Sequence, residues 1–328
     1  MNVDADTFRS LTERDFGACV EQHRRELHVH CYRLLGSFDE AEDLVQEAFL
    51  QAWRRRETYE GRASVRAWLY RIATNACLDA LDKRPRQSRS NGEVAWLQPY
   101  PDELLAQLPD GREGPEDVVL AQETVELAFL TAIQRIAPLP RAVLVLRDVL
   151  GCSAKETAHL LETTVPPVNS ALQRARSAMR RHLPADRRAW RGAEISAAER
   201  ELLARYVECT ERVDLEGLAA LLHEEAQFSM PPEPGVWTGK DSVVACWAEG
   251  GFGSEAFGSV RCVTTRANGQ PAVAVFVRLP GEPVYEPLTL EVLRFRDGAV
   301  IDVVNFSRSV YRYFGLPANL EVAAPCAS

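Results

Sequence analysis

The sequence predicts a multidomain protein: two all-α modules, a helical bundle and a helix-turn-helix, followed by a C-terminal α+β domain. Three observations carry this. Apolar residues recur at helical spacing through residues 8–84 and again through 119–183. The stretch between them loses that periodicity to proline, glycine, serine and charge. After Glu194 one helical pair gives way to short β-prone runs, "AQFSM", "VRCVTTRANGQPAVAVFVRL" and "LTLEVLRFRDGAVIDVVNF". The expected boundaries are 8–86, a linker at 87–118, 119–184 and 195–328.

In the first module, "FGACVEQHRRELHVHCYRLLG" reads as one amphipathic helix stopped by Gly36. In "FDEAEDLVQEAFLQAWRR", Ala41, Leu44, Val45, Ala48, Phe49, Ala52 and Trp53 fall on one face. Asp39, with Glu42 three residues on, predicts a capping box there. "SVRAWLYRIATNACLDALDKR" runs from a Ser64 cap to Pro85. Its apolar side carries Trp68, Leu69, Ile72 and Leu81, and its other side Arg66, Arg71, Asn75 and Lys83. In the linker, "VAWLQPYPDELL" is apolar enough to dock on a surface.

The second module predicts a helix from Leu120 stopped by Pro138 and Pro140, a second ending at Gly151, and a third capped by Ser153 with Glu156 in the capping-box position. The fourth, "TTVPPVNSALQRARSAMRRHL", follows a tight turn at Glu162–Thr164. Its prolines suit a first helical turn, where a missing N–H costs nothing. Val168, Leu172, Ala175 and Met179 form its buried stripe. Asn169, Ser170, Gln173, Arg174, Arg176, Arg180 and Arg181 lie outside it. Small polar groups at the N-terminal end with arginines behind them are the layout of a DNA-reading helix. The competing reading is a basic hairpin inside an ordinary helical bundle.

Charge is segregated. The net charge is -9, yet residues 54–89 hold ten basic side chains against four acidic, and residues 141–191 again ten against four. Residues 102–126 hold eight acidic against one basic. Two basic islands in an acidic chain suggest a polyanion partner for the islands alone. The eight cysteines are dispersed without a CxxC pair, against a zinc ribbon or redox motif, and no metal-ligand spacing occurs, "HVHC" included. No apolar run approaches the ~18 residues of a membrane span. "MNVDADTFRS" lacks a signal-peptide layout. A cytoplasmic protein without cofactor or metal is expected.

Taken in order, "YRLLGSFDEAEDLVQEAFLQAWRR" and "RASVRAWLYRIATNACLDALDKRPR" resemble region two of bacterial RNA polymerase sigma factors of the extracytoplasmic-function (ECF) class. "LPRAVLVLRDVLGCSAKETAHLLETTVPPVNSALQRARSAMRRHL" resembles their region four. The resemblance implies a sigma factor that binds core RNA polymerase at its clamp and flap and recognises −10 and −35 promoter DNA. Asp43, Gln46, Glu47 and Trp53 then fall where the polymerase clamp is gripped. Tyr59, Arg62, Arg66, Trp68, Arg71, Asn75, Lys83 and Arg84 fall at the −10 element. Ser153, Lys155, Val165, Pro166, Asn169, Ser170, Gln173, Arg174 and Arg176 fall at the −35 element. The Pro-Pro pair and Asn169 depart from the common pattern.

The C-terminal domain resembles the SnoaL-like fold, a cone-shaped member of the nuclear-transport-factor-like group, in which a pocket is expected. Phe228, Met230, Trp237, Trp247 and Phe306 are its expected lining. His223, Glu224, Asp241, Glu291 and Asp302 form no catalytic constellation by spacing, so no enzyme is expected and the domain reads as regulatory, meeting a ligand or regulator. "FSRSVYRYFGLPANLEV" is a plausible docking tail. The alternatives are a ligand-sensing helix-turn-helix regulator independent of polymerase, and a bifunctional protein with a small-molecule enzyme as its tail.

Overall fold

The computed structural model describes residues 5–61, 63–84, 97–106, 126–183, 195–233 and 235–321. The chain divides into two compact units, Met1–Val94 with Leu104–Trp190, and Ala95–Glu103 with Arg191–Ser328.

The first unit holds both helical modules. Helices α1 (Ala5–Arg9), α2 (Glu13–Glu21) and α3 (Arg24–Leu35) open it. The single helix expected here is broken at Gln22–His23. Both residues stay in the right-handed helical region, so the break is a kink. The His23 imidazole bonds Glu26 at 2.6 Å and starts the new helix. Gly36 ends α3 in the left-handed region at φ +73°, which favours glycine, and a Cβ there would sit tightly, 3.2 Å from the Gln134 side chain.

Helix α4 (Phe38–Arg54) is capped by Ser37, whose hydroxyl accepts from the Glu40 N–H. The expected Asp39–Glu42 box is displaced because the chain turns extended at Ser37, directly after the left-handed glycine. Helix α5 (Val65–Lys83) is capped by Ser64 as expected. The short α6 (Asp102–Leu105) is divided between the units after Glu103, and the first unit continues with α7 (Leu127–Gln134) and α8 (Pro138–Leu144), with Pro138 at the first turn of α8. The part of the 119–137 helix before Glu126 lies outside the described residues. Helix α8 runs into a π-helical turn, Val145–Val149. Helix α9 (Ala154–Leu160) shows both halves of the Ser153–Glu156 box, and α10 (Val165–His182) carries its prolines in the first turn.

The two modules share one core. The buried Arg141 guanidinium in the middle of α8 donates to the carbonyls of Gln134 and Ile136 and to Leu34 O near the end of α3. Gln134 donates to the Arg33 and Leu34 carbonyls at 3.2 and 3.3 Å. A buried cation is tolerated here because helix C-termini present unpaired carbonyls of partial negative charge.

The second unit opens with α11 (Ala197–Glu211) and α12 (Leu215–Leu221). The chain turns to strand at once, in β1 (Leu222–Ser229), which holds His223. After β2 (Val236–Thr238) and α13 (Lys240–Glu249) come β3 (Ser259–Ala267), β4 (Gln270–Arg278), β5 (Val284–Arg296), β6 (Ala299–Ser307) and β7 (Leu320–Glu321). The sheet order is β2-β1-β6-β5-β4-β3, with β7 pairing β5 off this path; β1 and β6 run parallel and every other pair antiparallel. Both turn signatures close two-residue hairpins, at Asn268–Gly269 and Asp297–Gly298, all four residues at positive φ. Tyr206, Leu218, Phe228 and Val243 pack with Val273, Leu293 and Val303 in the core between helices and sheet. The expected docking tail is part of this domain: the Tyr311 hydroxyl bonds Val275 O and Thr289 O, and β7 extends the sheet.

The middle of the linker belongs to this unit. Leu97 and Tyr100 are buried, and Pro101 bridges Ala267. Tyr100 N–H donates to Asn268 Oδ1 at 2.8 Å and Asn268 N–H to Tyr100 O at 2.9 Å. Asp102 accepts from Gly269 N–H at 2.8 Å and pairs with Arg266 at 3.1 Å.

Candidate nucleic-acid and polymerase interface

Helix α10 buries Val168, Ala171, Leu172, Ala175 and Met179 against its module. That stripe turns Pro166, Asn169, Ser170, Gln173, Arg174 and Arg176 outward, all exposed, with Val165 half-buried. Ser153 and Lys155 are exposed at the start of α9 beside it. Ser153 spends its hydroxyl on the capping box. Arg176 forms a two-bond pair with Asp148 at 2.6 and 2.8 Å. The expected −35 residues thus share one face, with Arg176 already engaged by a carboxylate.

The −10 set divides. Tyr59 and Trp68 are core residues, 4% and 5% exposed. They meet at 5.4 Å between ring centres, with Phe8 against both, and the Tyr59 hydroxyl donates to Ala63 O at 2.7 Å. Neither ring is open to a base in this arrangement, and Trp68 packs in the core as its place on the apolar side of α5 implies. Arg84 is taken up internally, binding Leu35 O and the Glu40 carboxylate, where it closes the α3–α4 corner. Arg66 lies over the Tyr70 ring and pairs with Glu26 at 2.6 Å. Burial would raise the Glu26 carboxyl, but the His23 bond and the Arg66 cation hold it below its ordinary value. Lys83 is exposed, and Arg71 and Asn75 are half-buried. Arg62 lies outside the described residues.

On α4, Asp43 and Gln46 are exposed and Glu47 is half-buried. Trp53 is turned inward, 5.2 Å from Phe16, with Arg56 stacked 3.9 Å over its ring. The residue that sequence reasoning missed is Leu50, 52% exposed and one turn from Gln46 and Glu47. An apolar side chain amid carboxylates on an outer helical face was its only signal.

In the C-terminal unit a cavity of about 240 Å³ is lined by Phe228, Met230 and Trp247 from the expected set, together with Tyr206, Glu291 and Asn305. Trp237 packs on Phe228 at 5.6 Å without reaching the lining. Phe306 is excluded because strand side chains alternate: Asn305 faces the cavity, so its neighbour faces the other side of the sheet. His223 and Glu224 lie at the start of β1, and Asp302 pairs with Arg294 at 3.2 Å.

The family description "Sigma-70 region 2" matches residues 19–87, "Sigma-70, region 4" matches 126–179, and "SnoaL-like domain" matches 203–303. The ECF RNA polymerase sigma factor SigG of Mycobacterium tuberculosis (strain ATCC 25618 / H37Rv) is 39% identical over 325 residues, covering 93% of this chain and 85% of SigG. The chain belongs to the ECF RNA polymerase sigma factors.

This ECF sigma factor binds core RNA polymerase and directs transcription initiation, which overrides the reading as a polymerase-independent regulator. SigW of Bacillus subtilis (strain 168) is 32% identical over 171 residues, 51% of this chain and 88% of SigW, as expected if the SnoaL-like domain is an addition to a two-module sigma factor. The crystal structure of the Mycobacterium tuberculosis ECF sigma factor SigJ has a TM-score of 0.57 at 22% identity and covers 92% of this chain and 99% of that one; the shared fold extends through the C-terminal domain. Among the described residues no helix is long and apolar enough to cross a membrane, and no group of three metal-ligating side chains is assembled.

Proposed function

We propose that this sigma factor reads −35 DNA with the outer face of α10 and holds −10 DNA with the basic side of α5, while the C-terminal domain regulates it through the linker. The observation that carries the first part is the exposed Asn169, Ser170, Gln173 and Arg174 opposite a buried Val168–Leu172–Ala175–Met179 stripe. Asn169 and Gln173 have the amide geometry for adenine and Arg174 the fork for guanine, while Lys155 and Arg176 serve phosphates. For the −10 element the available groups are Arg66, Arg71, Asn75 and Lys83. Polymerase contact at the clamp falls to Asp43, Gln46 and Glu47 with Leu50 as an apolar anchor, and region four meets the flap.

The regulatory reading rests on the linker. The segment joining the two DNA modules is fastened at Tyr100–Asp102 to the β3–β4 hairpin by four polar contacts. A fastened linker restricts how far the modules can separate, and promoter binding needs them apart at fixed spacing. Run-off transcription with core polymerase on genomic DNA tests both parts. The full chain should initiate at a defined promoter set, and deletion of residues 196–328 should change the output. Unchanged output at every promoter removes the regulatory reading.

A further inference from the structure

Among the described residues of the second unit, the half-buried arginines are Arg266, Arg278, Arg294 and Arg296. Arg266 is neutralised by Asp102 at 3.1 Å, Arg294 by Asp302 at 3.2 Å and Arg296 by Glu225 at 2.6 Å. Arg278, the last residue of β4, is the exception. Among the described residues no carboxylate pairs with it, and its Nε–H is buried without an acceptor. Its guanidinium donates once, from Nη2 to the Ser259 hydroxyl at 3.5 Å, the outer limit of such a bond. A half-buried cation without a counter-ion is costly, and the other three arginines show how this unit ordinarily offsets that cost.

A second cation lies beside it. Ser259 and Arg261 are two residues apart on β3, so their side chains share a face. Ser259 stands directly opposite Arg278 in the β3–β4 register, which puts Arg278 on that face too. Both guanidiniums lie over the buried Tyr285 ring of β5, Arg278 at 5.3 Å and Arg261 at 5.8 Å from its centre. The ring attracts each cation but neutralises neither. Glu211, at the end of α11, stays 3.8 Å from Arg261 and spends Oε1 on the Cys262 N–H at 2.9 Å. The backbone fixes this corner. Gly258 stands at φ +84°, and a Cβ there would meet Arg278 O at 2.5 Å, so β3 begins pressed against the end of β4.

The donors define the ligand. A carboxylate has two oxygens and is satisfied by one guanidinium fork. A phosphate monoester has three terminal oxygens and nearly two negative charges, so it matches two guanidiniums and a hydroxyl. Leu279, next after Arg278 and exposed, offers apolar surface for the organic part of such an ester.

We propose that Ser259, Arg261 and Arg278 form a binding site for a small organic phosphate monoester, its terminal oxygens on the two guanidiniums and the hydroxyl and its organic body beside Leu279. The site stands independently of the linker's regulatory role.

The test uses the full chain, isotope-labelled for nuclear magnetic resonance, and three probes that share a phenyl group: phenyl phosphate, its diester methyl phenyl phosphate, and benzoate. Binding is read at the Arg278 Nε–H signal and at the amides of residues 258–261, which separates this site from phosphate held by the basic helices. Phenyl phosphate should shift these signals saturably and bind about tenfold more tightly than either control, the worth of one charge-assisted hydrogen bond. Inorganic phosphate, without a body to meet Leu279, should bind more weakly than phenyl phosphate. Arg278→Gln and Arg261→Gln should each weaken phenyl phosphate about tenfold, and Arg278→Lys, which keeps the charge without the fork, by less. Three results would each overturn the proposal: no saturable shift up to about 50 mM probe, where even a millimolar site is filled; a diester or benzoate bound as tightly as the monoester; or affinity unchanged in both glutamine variants. Inorganic phosphate bound as tightly as phenyl phosphate would identify the free ion as the ligand and sink the assignment to an ester. Should Arg278→Gln not fold, Arg261→Gln decides alone, since that side chain is 56% exposed.

Discussion

Asn268 and Tyr100 hold each other reciprocally: each donates its backbone N–H, to the other's side-chain or main-chain oxygen, across 168 residues of sequence. Asn268 is fully buried and stands at φ +56°, so one residue both shapes the β3–β4 turn and grips the linker. Asn268→Gly separates these roles, because glycine keeps the left-handed turn and deletes the side-chain acceptor. The expected loss is about 1–2 kcal/mol in the second unit's stability, with faster protease cutting near Tyr100. In run-off transcription the variant should move toward the output of the chain truncated before residue 196. Asn268→Ala should cost about 1–2 kcal/mol more, from the strained φ.

Arg141 joins the two helical modules. Removing its guanidinium takes a donor from the carbonyls of Leu34, Gln134 and Ile136 at once, although Leu34 O keeps the Gln134 amide. Arg141→Met should destabilise the first unit by about 2–3 kcal/mol, and Arg141→Lys by less, since an ammonium reaches fewer of these acceptors. Amide hydrogen exchange in the full chain checks it: protection should fall first at residues 33–36 and 134–141.

Most elements were legible because local signals dominate them. Gly36, Ser64, Ser153 with Glu156 and the two hairpin turns each announce a boundary through chemistry confined to four or five residues. The misreadings share one cause, which is distance. Nothing near Arg84 reveals that Leu35 O and Glu40 await it, and a basic residue at the end of a basic helix looks free until the fold consumes it. Tyr59 and Trp68 carry the aromatic signal of base stacking, but Phe8 packs on both rings from α1. The cavity's aromatics could be listed from sequence; that Glu291 and Asn305 face each other depends on strand register.

The exposed side of α10 should divide by salt dependence. Lys155→Ala, on the neighbouring α9, should remove the proposed phosphate contact, so affinity should fall at every sequence and the salt slope should drop by about one. Arg174→Ala should instead relax discrimination at one base pair, worth about 1–3 kcal/mol. Asp148→Asn frees Arg176 from its two-bond pair and should strengthen binding to all duplexes alike. Competition binding on randomised −35 sites at two salt concentrations separates the three.

His30 makes the first unit acid-sensitive. The Thr74 hydroxyl donates to Tyr70 O at 2.6 Å, so it accepts from His30 Nε2–H at 2.8 Å, which fixes the tautomer and leaves Nδ1 to take any proton. Burial, with Arg33 and Arg66 adding repulsion, pushes this imidazole down to about 3. In the unfolded chain it titrates near 6.5. The unfolded state therefore binds a proton first, and stability is full above pH 6.5 and declines as pH falls toward 3. His28, pushed down to about 4 chiefly by burial, adds in the same direction. His30→Gln should flatten the decline in a series of urea melts between neutral pH and pH 4.

Glu291 gives the second unit the opposite dependence. Its folded value of about 7 lies above an unfolded carboxyl's ordinary 4.5, so the folded state holds the proton more tightly. That contribution is complete below the unfolded value and disappears as pH rises through about 7, a change on the order of 3 kcal/mol. The two units should therefore part company in a pH series: on acidification the SnoaL-like domain gains where the helical modules lose. Glu291→Gln should hold the domain's melting temperature level between pH 5 and 8.5, leaving His30 as the main source of pH dependence in the other unit.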